Sequence, residues 1–157
     1  MSRASIVLVV LLAACASVPS SVVVPAEIAN ARVFVDCSVN GSKPLRFMLD
    51  TGASESVLNS DRAAELGWTL SGSNTAAVEG GEIESATVRG VTLAVGDAVM
   101  PARDVVAVPL RGVENGMGRA IYGVIGGELF QRYVVTIDYA RAFVSLQVPE
   151  RFTYNGG

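Results

Sequence analysis

Residues 33–50 constrain the fold of this chain more than any other stretch. Val33, Val35, Cys37 and Val39 alternate with Phe34, Asp36 and Ser38, which is the two-residue period of a β-strand. Asn40-Gly41-Ser42-Lys43 follows as a turn signal, and Pro44 opens the return strand, where its missing N–H is tolerable. Leu45, Phe47 and Leu49 then share one face, with Arg46 and Met48 on the other. The stretch is a hairpin that delivers Asp50 to the end of a strand.

The remainder reads as more of the same. The length of 157 residues favours one folded domain. Aromatics are only 6% of a chain that is 50% hydrophobic, a mixture that suits short strands and tight turns better than a helical bundle. Strands are predicted over 84–88, 91–95 and 104–110, and a closing hairpin over 133–138 and 142–148. Ser60 is expected to cap a short helix through Leu66, stopped by Gly67, with Trp68 packing that helix on the sheet. A second helical turn is expected at Glu128 to Arg132, and residues 111–119 read as a Gly-rich loop. Residues 70–82 are small and polar and end Val78-Glu79-Gly80-Gly81-Glu82, a candidate mobile hairpin.

The first residues are an address. Arg3 precedes a short apolar run, Ile6 to Leu12, too short to span a bilayer as a helix. The run ends Leu12-Ala13-Ala14-Cys15, which resembles a bacterial lipobox, and this predicts a lipidated Cys15 as the mature N-terminus. Cleavage after Ala14-Cys15-Ala16 is the alternative. Ala16 stands where Asp would signal inner-membrane retention, so the expected location is the cell envelope, on the periplasmic face of the outer membrane. Residues 1–15 are thus read as signal and lipobox, 16–31 as a tether, 32–150 as the domain and 151–157 as a tail. Cys37 is then the one thiol beyond the anchor and, at an apolar strand position, reads as buried and inert.

Composition also limits the chemistry. With no histidine, Ser-His-Asp and Cys-His arrangements and His-containing zinc sites are impossible, and two cysteines cannot build a Cys₄ site. No Walker-type phosphate loop is present. The net charge of −3, with no basic cluster, argues against a nucleic-acid partner. Neither a metal nor a cofactor is expected, and carboxylates are the leading candidates for acid and base.

Asp50-Thr51-Gly52-Ala53 follows an apolar strand and is answered about seventy residues later by Val124-Ile125-Gly126. Here the sequence resembles the retropepsin-like aspartic peptidases, single-lobe proteases of retroviral type with bacterial relatives. The resemblance runs from about Ala31 to Val148 and includes Asn40-Gly41, Leu93-Ala94-Val95-Gly96-Asp97 and Val134-Val135-Thr136-Ile137-Asp138-Tyr139. It implies an all-β, single-lobe acid-protease barrel with one or two short helices, acting on polypeptides. It also implies catalytic roles for Asp50, Thr51 and Gly52, and substrate contacts from Ala53 and from a flap at Val78, Glu79, Gly80 and Gly81.

The residue types suit that chemistry. Two adjacent carboxylates cannot both ionise easily, so one retains a proton and the pair supplies both a base and an acid. Gly52 lets the backbone approach the carboxylate and donate an N–H. By resemblance, Thr51 grips the partner loop, and Gly126 lets its strand pass close to the Asp50 loop. No other Asp is followed by Thr/Ser-Gly, so the second carboxylate is expected from another copy of the chain in a two-fold homodimer. Gly127 stands where retroviral enzymes usually carry an Arg that braces the dimer. Two functions remain open from sequence: an envelope-anchored endopeptidase, or a lipoprotein of the same fold that binds a peptide or protein without cutting it.

Overall fold

Two Asn-led turns set the register of the first three strands. Asn30 and Ala31 (φ 51° and 57°) join β1 (Ser21–Ala29) to β2 (Arg32–Val39), and Asn40 and Gly41 (φ 51° and 73°) lead towards β3 (Leu45–Leu49). Paired positive φ values are the geometry that lets a two-residue turn follow the strands' twist, and Asn and Gly adopt it most readily. The structure, a computed structural model, describes residues 21–78 and 80–154.

Beyond β3 come β4 (Val57–Asn59), β5 (Ser71–Val78), β6 (Gly81–Val95), β7 (Ala98–Val108), β8 (Gly123–Ile125), β9 (Val134–Asp138) and β10 (Phe143–Gln147). Two short helices, α1 (Arg111–Met117) and α2 (Gly127–Arg132), complete the all-β plan. The strand order is β5-β6-β7-β4-β8-β3-β2-β1-β10-β9, and β6 also pairs with β2 at Ser38↔Ala94 and Val39↔Leu93. That extra pairing closes β2, β3, β8, β4, β7 and β6 into a barrel. The β5–β6 hairpin projects from one side, and β1, β10 and β9 extend the sheet on the other. β6 serves both the hairpin and the barrel because its pairing with β7 shifts register between Val88 and Val91, where Gly90 has φ 62°.

The strand alternation sorts side chains into two clusters. Val33, Val35, Cys37, Val39 and Phe47 enter the larger core, while Phe34 joins Val108, Leu110, Met117, Ile121 and Val124 in a second one, with Met48 packed against it. Trp68 packs on the larger core as expected.

Three expectations are corrected. Residues 21–29, read as part of a tether, form β1: Ser21 to Pro25 pair with β10 and Ala26 to Ala29 with β2. Val22 is buried and Val24 packs on the core, so the period-2 pattern prevails over Pro25, which sits where the strand changes partner. Residues 111–119, read as a loop, contain helix α1 despite Gly112 and Gly116. Burial of Met117 over the second cluster outweighs their poor helix propensity. The helix expected from Ser60 to Leu66 is a 3₁₀ turn, Ser60–Arg62, capped by the Asn59 side chain, which accepts from the Asp61 N–H. Gly67, with φ 67°, ends the following turns as predicted.

Candidate active site

Asp50 is fixed by the strands on both sides of it. It directly follows β3, which runs parallel to β8, and its N–H donates to the Ile125 carbonyl at 3.0 Å. The Gly52 N–H donates to Asp50 Oδ1 at 2.8 Å. A Cβ on Gly52 would lie 3.2 Å from that oxygen, so glycine lets the backbone reach the carboxylate without crowding it. The Ala53 N–H closes the turn onto the Asp50 carbonyl at 3.3 Å. Thr51 is exposed.

The loop is laced to the segment after β8. The Gly127 N–H donates to the Ala53 carbonyl at 2.9 Å, and the Gly126 N–H donates to Ser56 Oγ at 2.9 Å. Ser56 in turn donates its N–H to both carboxylate oxygens of Glu128 and its hydroxyl to Oε2, each at 2.8 Å. Arg103 on β7 is ion-paired with Glu128. A Cβ on Gly126 would lie 2.4 Å from the Glu55 carbonyl oxygen, and one on Gly127 would lie 2.3 Å from that of Ser54. The close approach expected between Gly126 and the Asp50 loop is therefore present, made at Glu55 and Ser56.

Asp50, Gly52 and Ala53 form one side of a cleft of about 510 Å³. Val106, Val108 and Leu110 from β7 and its end form a wall, with Val57 and Val124 beneath. Ala76 and Ala77 reach it from the β5–β6 hairpin. Among the described residues, Glu55 is the only charged side chain lining it besides Asp50. The hairpin pairs Ala77 with Glu82 and Val78 with Gly81, so its tip falls at the expected flap, although Glu79 lies outside the described residues. Gly80 and Gly81, at φ 96° and 142°, occupy backbone conformations that other residues rarely adopt. Gly80 and Gly81 do not line the cleft, whereas Ala53 does. Sequence reasoning missed Ala76, Ala77 and the β7 wall, whose small apolar residues look like ordinary core.

A second polar centre supports the wall from behind. Asn59 is fully buried; its side chain accepts from the N–H groups of Asp61 and Leu110 and donates to the Ile121 carbonyl at 2.8 Å. Glu114 on α1 accepts from Arg62 Nε at 2.8 Å and from the Ile121 N–H at 3.0 Å. Burial alone would raise the Glu114 carboxyl, but those hydrogen bonds and the Arg62 and Arg111 charges outweigh it and hold the group below its usual range. The same contact raises the Arg62 guanidinium above its usual value. Cys15, the expected lipidation site, lies outside the described residues. Among the described residues no group of three or more His, Cys, Asp or Glu side chains comes together as a metal site.

The sequence pattern of the aspartyl proteases matches residues 35–129, from mid-β2 into α2 and across the whole Asp50 loop. The chain belongs to the aspartyl protease family. The crystal structure of a retropepsin-like aspartic protease from Rickettsia conorii is similar to it, at 18% identity and a TM-score of 0.53. That match covers 82% of this chain and 89% of the other, and the fold is retropepsin-like. The EIAV protease complexed with the inhibitor HBY-793 aligns at 19% identity and a TM-score of 0.45, covering 65% of this chain and 88% of that chain. No curated protein matches the sequence significantly.

Proposed function

We propose that this chain is an aspartic endopeptidase that works as a homodimer, each protomer contributing Asp50. The observation that carries the reading is the Asp50 carboxylate at a strand end, held by the Gly52 N–H and facing an apolar cleft beside a hairpin. An extended peptide fits such a cleft, with small and medium apolar side chains against Val106, Val108, Leu110 and Ala76.

Two carboxyl groups across a two-fold axis share one proton. The ionised Asp50 takes a proton from water as its oxygen attacks the scissile carbonyl carbon, and the protonated Asp50 of the other copy gives its proton to the carbonyl oxygen. The resulting gem-diol collapses, the C–N bond breaks, and the leaving nitrogen receives a proton from the dyad. The Gly52 N–H helps keep one oxygen of each carboxylate in place throughout.

A second copy has room to approach beside Thr51. A recess of about 270 Å³ there is lined by Asp50, Thr51, Phe130, Ile137 and Tyr139, the last 65% exposed. Among the described residues β9 pairs only with β10, which leaves its other edge open next to the recess. The proposed place of work is the cell envelope, with Cys15 as a lipid anchor, a reading that rests on Leu12-Ala13-Ala14-Cys15. The test of function is incubation of the purified chain with a diverse peptide library. Cleavage that disappears in Asp50→Asn is the expected result; cleavage that survives it would overturn the assignment, and no cleavage by the wild type at any pH would favour a binding role.

A further inference from the structure

We infer that Glu128 is the positioning residue of the catalytic loop, held to that task by Arg103. The inference rests on the proposed role of Asp50 and concerns what keeps that carboxylate in place.

The loop between β3 and β4 has little packing of its own. Thr51, Gly52, Ser54 and Glu55 are exposed, and Ala53 is half-buried. A loop of such small, exposed residues drifts unless hydrogen bonds fix it. Four ties do so: Asp50 N–H to the Ile125 carbonyl, Gly127 N–H to the Ala53 carbonyl, Gly126 N–H to Ser56 Oγ, and the Ser56–Glu128 contact. The first two are ordinary backbone bonds. The last two depend on side chains, and the Ser56–Glu128 contact is charge-assisted and made by a serine only 1% exposed.

The chemistry of that contact selects a carboxylate. Ser56 offers two donors, its N–H and its O–H, and Arg103 sets a positive charge beside the same carboxylate. An ionised carboxylate accepts from both donors and answers that charge, whereas a neutral amide would leave the charge unanswered and could turn an NH₂ towards Ser56. With its hydroxyl proton committed to Glu128, Ser56 Oγ is free to accept the Gly126 N–H, so one acid orders both the loop and the strand end that receives Asp50. There is no slack in the backbone either, since Gly126 and Gly127 already lie against the Glu55 and Ser54 carbonyls. Arg103 belongs to β7, whose Val106 and Val108 line the cleft, so the substrate wall and the Asp50 loop share a single brace.

The test compares wild type with Glu128→Gln, Arg103→Gln, Ser56→Ala and Ser56→Thr. It uses steady-state kinetics on a cleaved peptide and amide hydrogen exchange over residues 50–57. Glu128→Gln should keep its fold and its KM while kcat falls about 10- to 100-fold, the cost of a displaced reacting group. Exchange at 52–56 should rise in the same variant. Ser56→Ala should behave likewise, and Ser56→Thr, which keeps the hydroxyl, should recover most of the loss. Should Glu128→Gln not fold, the two Ser56 variants decide alone. Wild-type kcat in a folded Glu128→Gln or Ser56→Ala, or unchanged exchange at 52–56, would overturn the inference. A wild type that cuts nothing would defeat the catalytic reading of Asp50 and this inference's catalytic role for Glu128, while exchange would still report whether Glu128 holds the loop.

Discussion

Arg62 Nε donates to Glu114 Oε1 at 2.8 Å, tying the 3₁₀ turn after β4 to helix α1. The two side chains are 24% and 13% exposed, so the pair is largely shielded from water. Glu114 also receives the Ile121 N–H, and the segment it braces carries Leu110, part of the cleft wall.

This pairing makes stability depend on acid. Glu114 is held below its usual carboxylate range in the folded chain, so its contribution is complete above the unfolded-state value of about 4.3 and is lost as pH falls through the folded value. Denaturation midpoints should therefore drop on acidification below about pH 5, and less so in Glu114→Gln. Glu114→Gln should cost about 1–3 kcal/mol near neutrality by weakening charged hydrogen bonds that partly buried donors rely on. Urea melts of both proteins from neutral pH down to about pH 3 check this; parallel pH profiles would refute it.

Cys37 should be chemically silent in the native state. It is fully buried in the main core, and burial pushes its thiol up to about 12, with the Ala94 backbone hydrogen bond opposing that only in part. Because the thiolate is the reactive form, a maleimide or aromatic disulfide at pH 8 should label it only after denaturant is added. Rapid labelling of the folded protein would mean that this core opens.

An anchor at Cys15 would hold the domain close to the bilayer. Residues 16–20 separate Cys15 from Ser21, the first residue of β1, and five residues reach at most about 17 Å. Metabolic acyl labelling and membrane fractionation should both be lost in Cys15→Ser, and extending the link with a Gly-Ser insert should raise protease access to β1. Mature protein that starts beyond residue 15 would rule the anchor out.

How much the sequence disclosed follows from the range of the interactions involved. The β2–β3 hairpin and the placement of Asp50 were legible because alternation and an Asn-Gly turn act locally. β1 was legible in principle, since Val22, Val24, Ala26 and Ile28 alternate, but Pro25 and the neighbouring Ser residues suggested a linker. α1 was not legible, because its formation depends on Met117 covering Phe34 and Val124 from distant strands. The Ser56–Glu128 contact spans 72 residues and the Asn59 centre gathers residues up to 62 apart, so neither leaves a local pattern. Gly127 was noted for the Arg it lacks; its space is in fact taken by the Ser54 carbonyl.

The last prediction is that activity requires two chains. Water activation and carbonyl protonation need two carboxyl groups close together, and Asp50 is the only Asp of this chain in an Asp-Thr-Gly setting. Asp50→Asn should preserve the fold, because the Gly52 N–H can still donate to the amide oxygen, but the amide cannot act as base. A mixing experiment is sharper than the single variant. Where subunits exchange, excess Asp50→Asn chain should capture wild-type protomers in dimers with one carboxylate, and activity should fall well below the value that simple dilution gives. Specific activity should also decline as the wild type is diluted towards its dimer dissociation constant. A charge such as Tyr139→Asp, at an exposed position in the recess beside Thr51, should produce monomers that fold but do not cut, as judged by sedimentation and peptide assay. Full activity in mixed dimers after complete exchange, or in a chain shown to be monomeric, would place the second acid within one protomer, with Glu55 the first residue to examine.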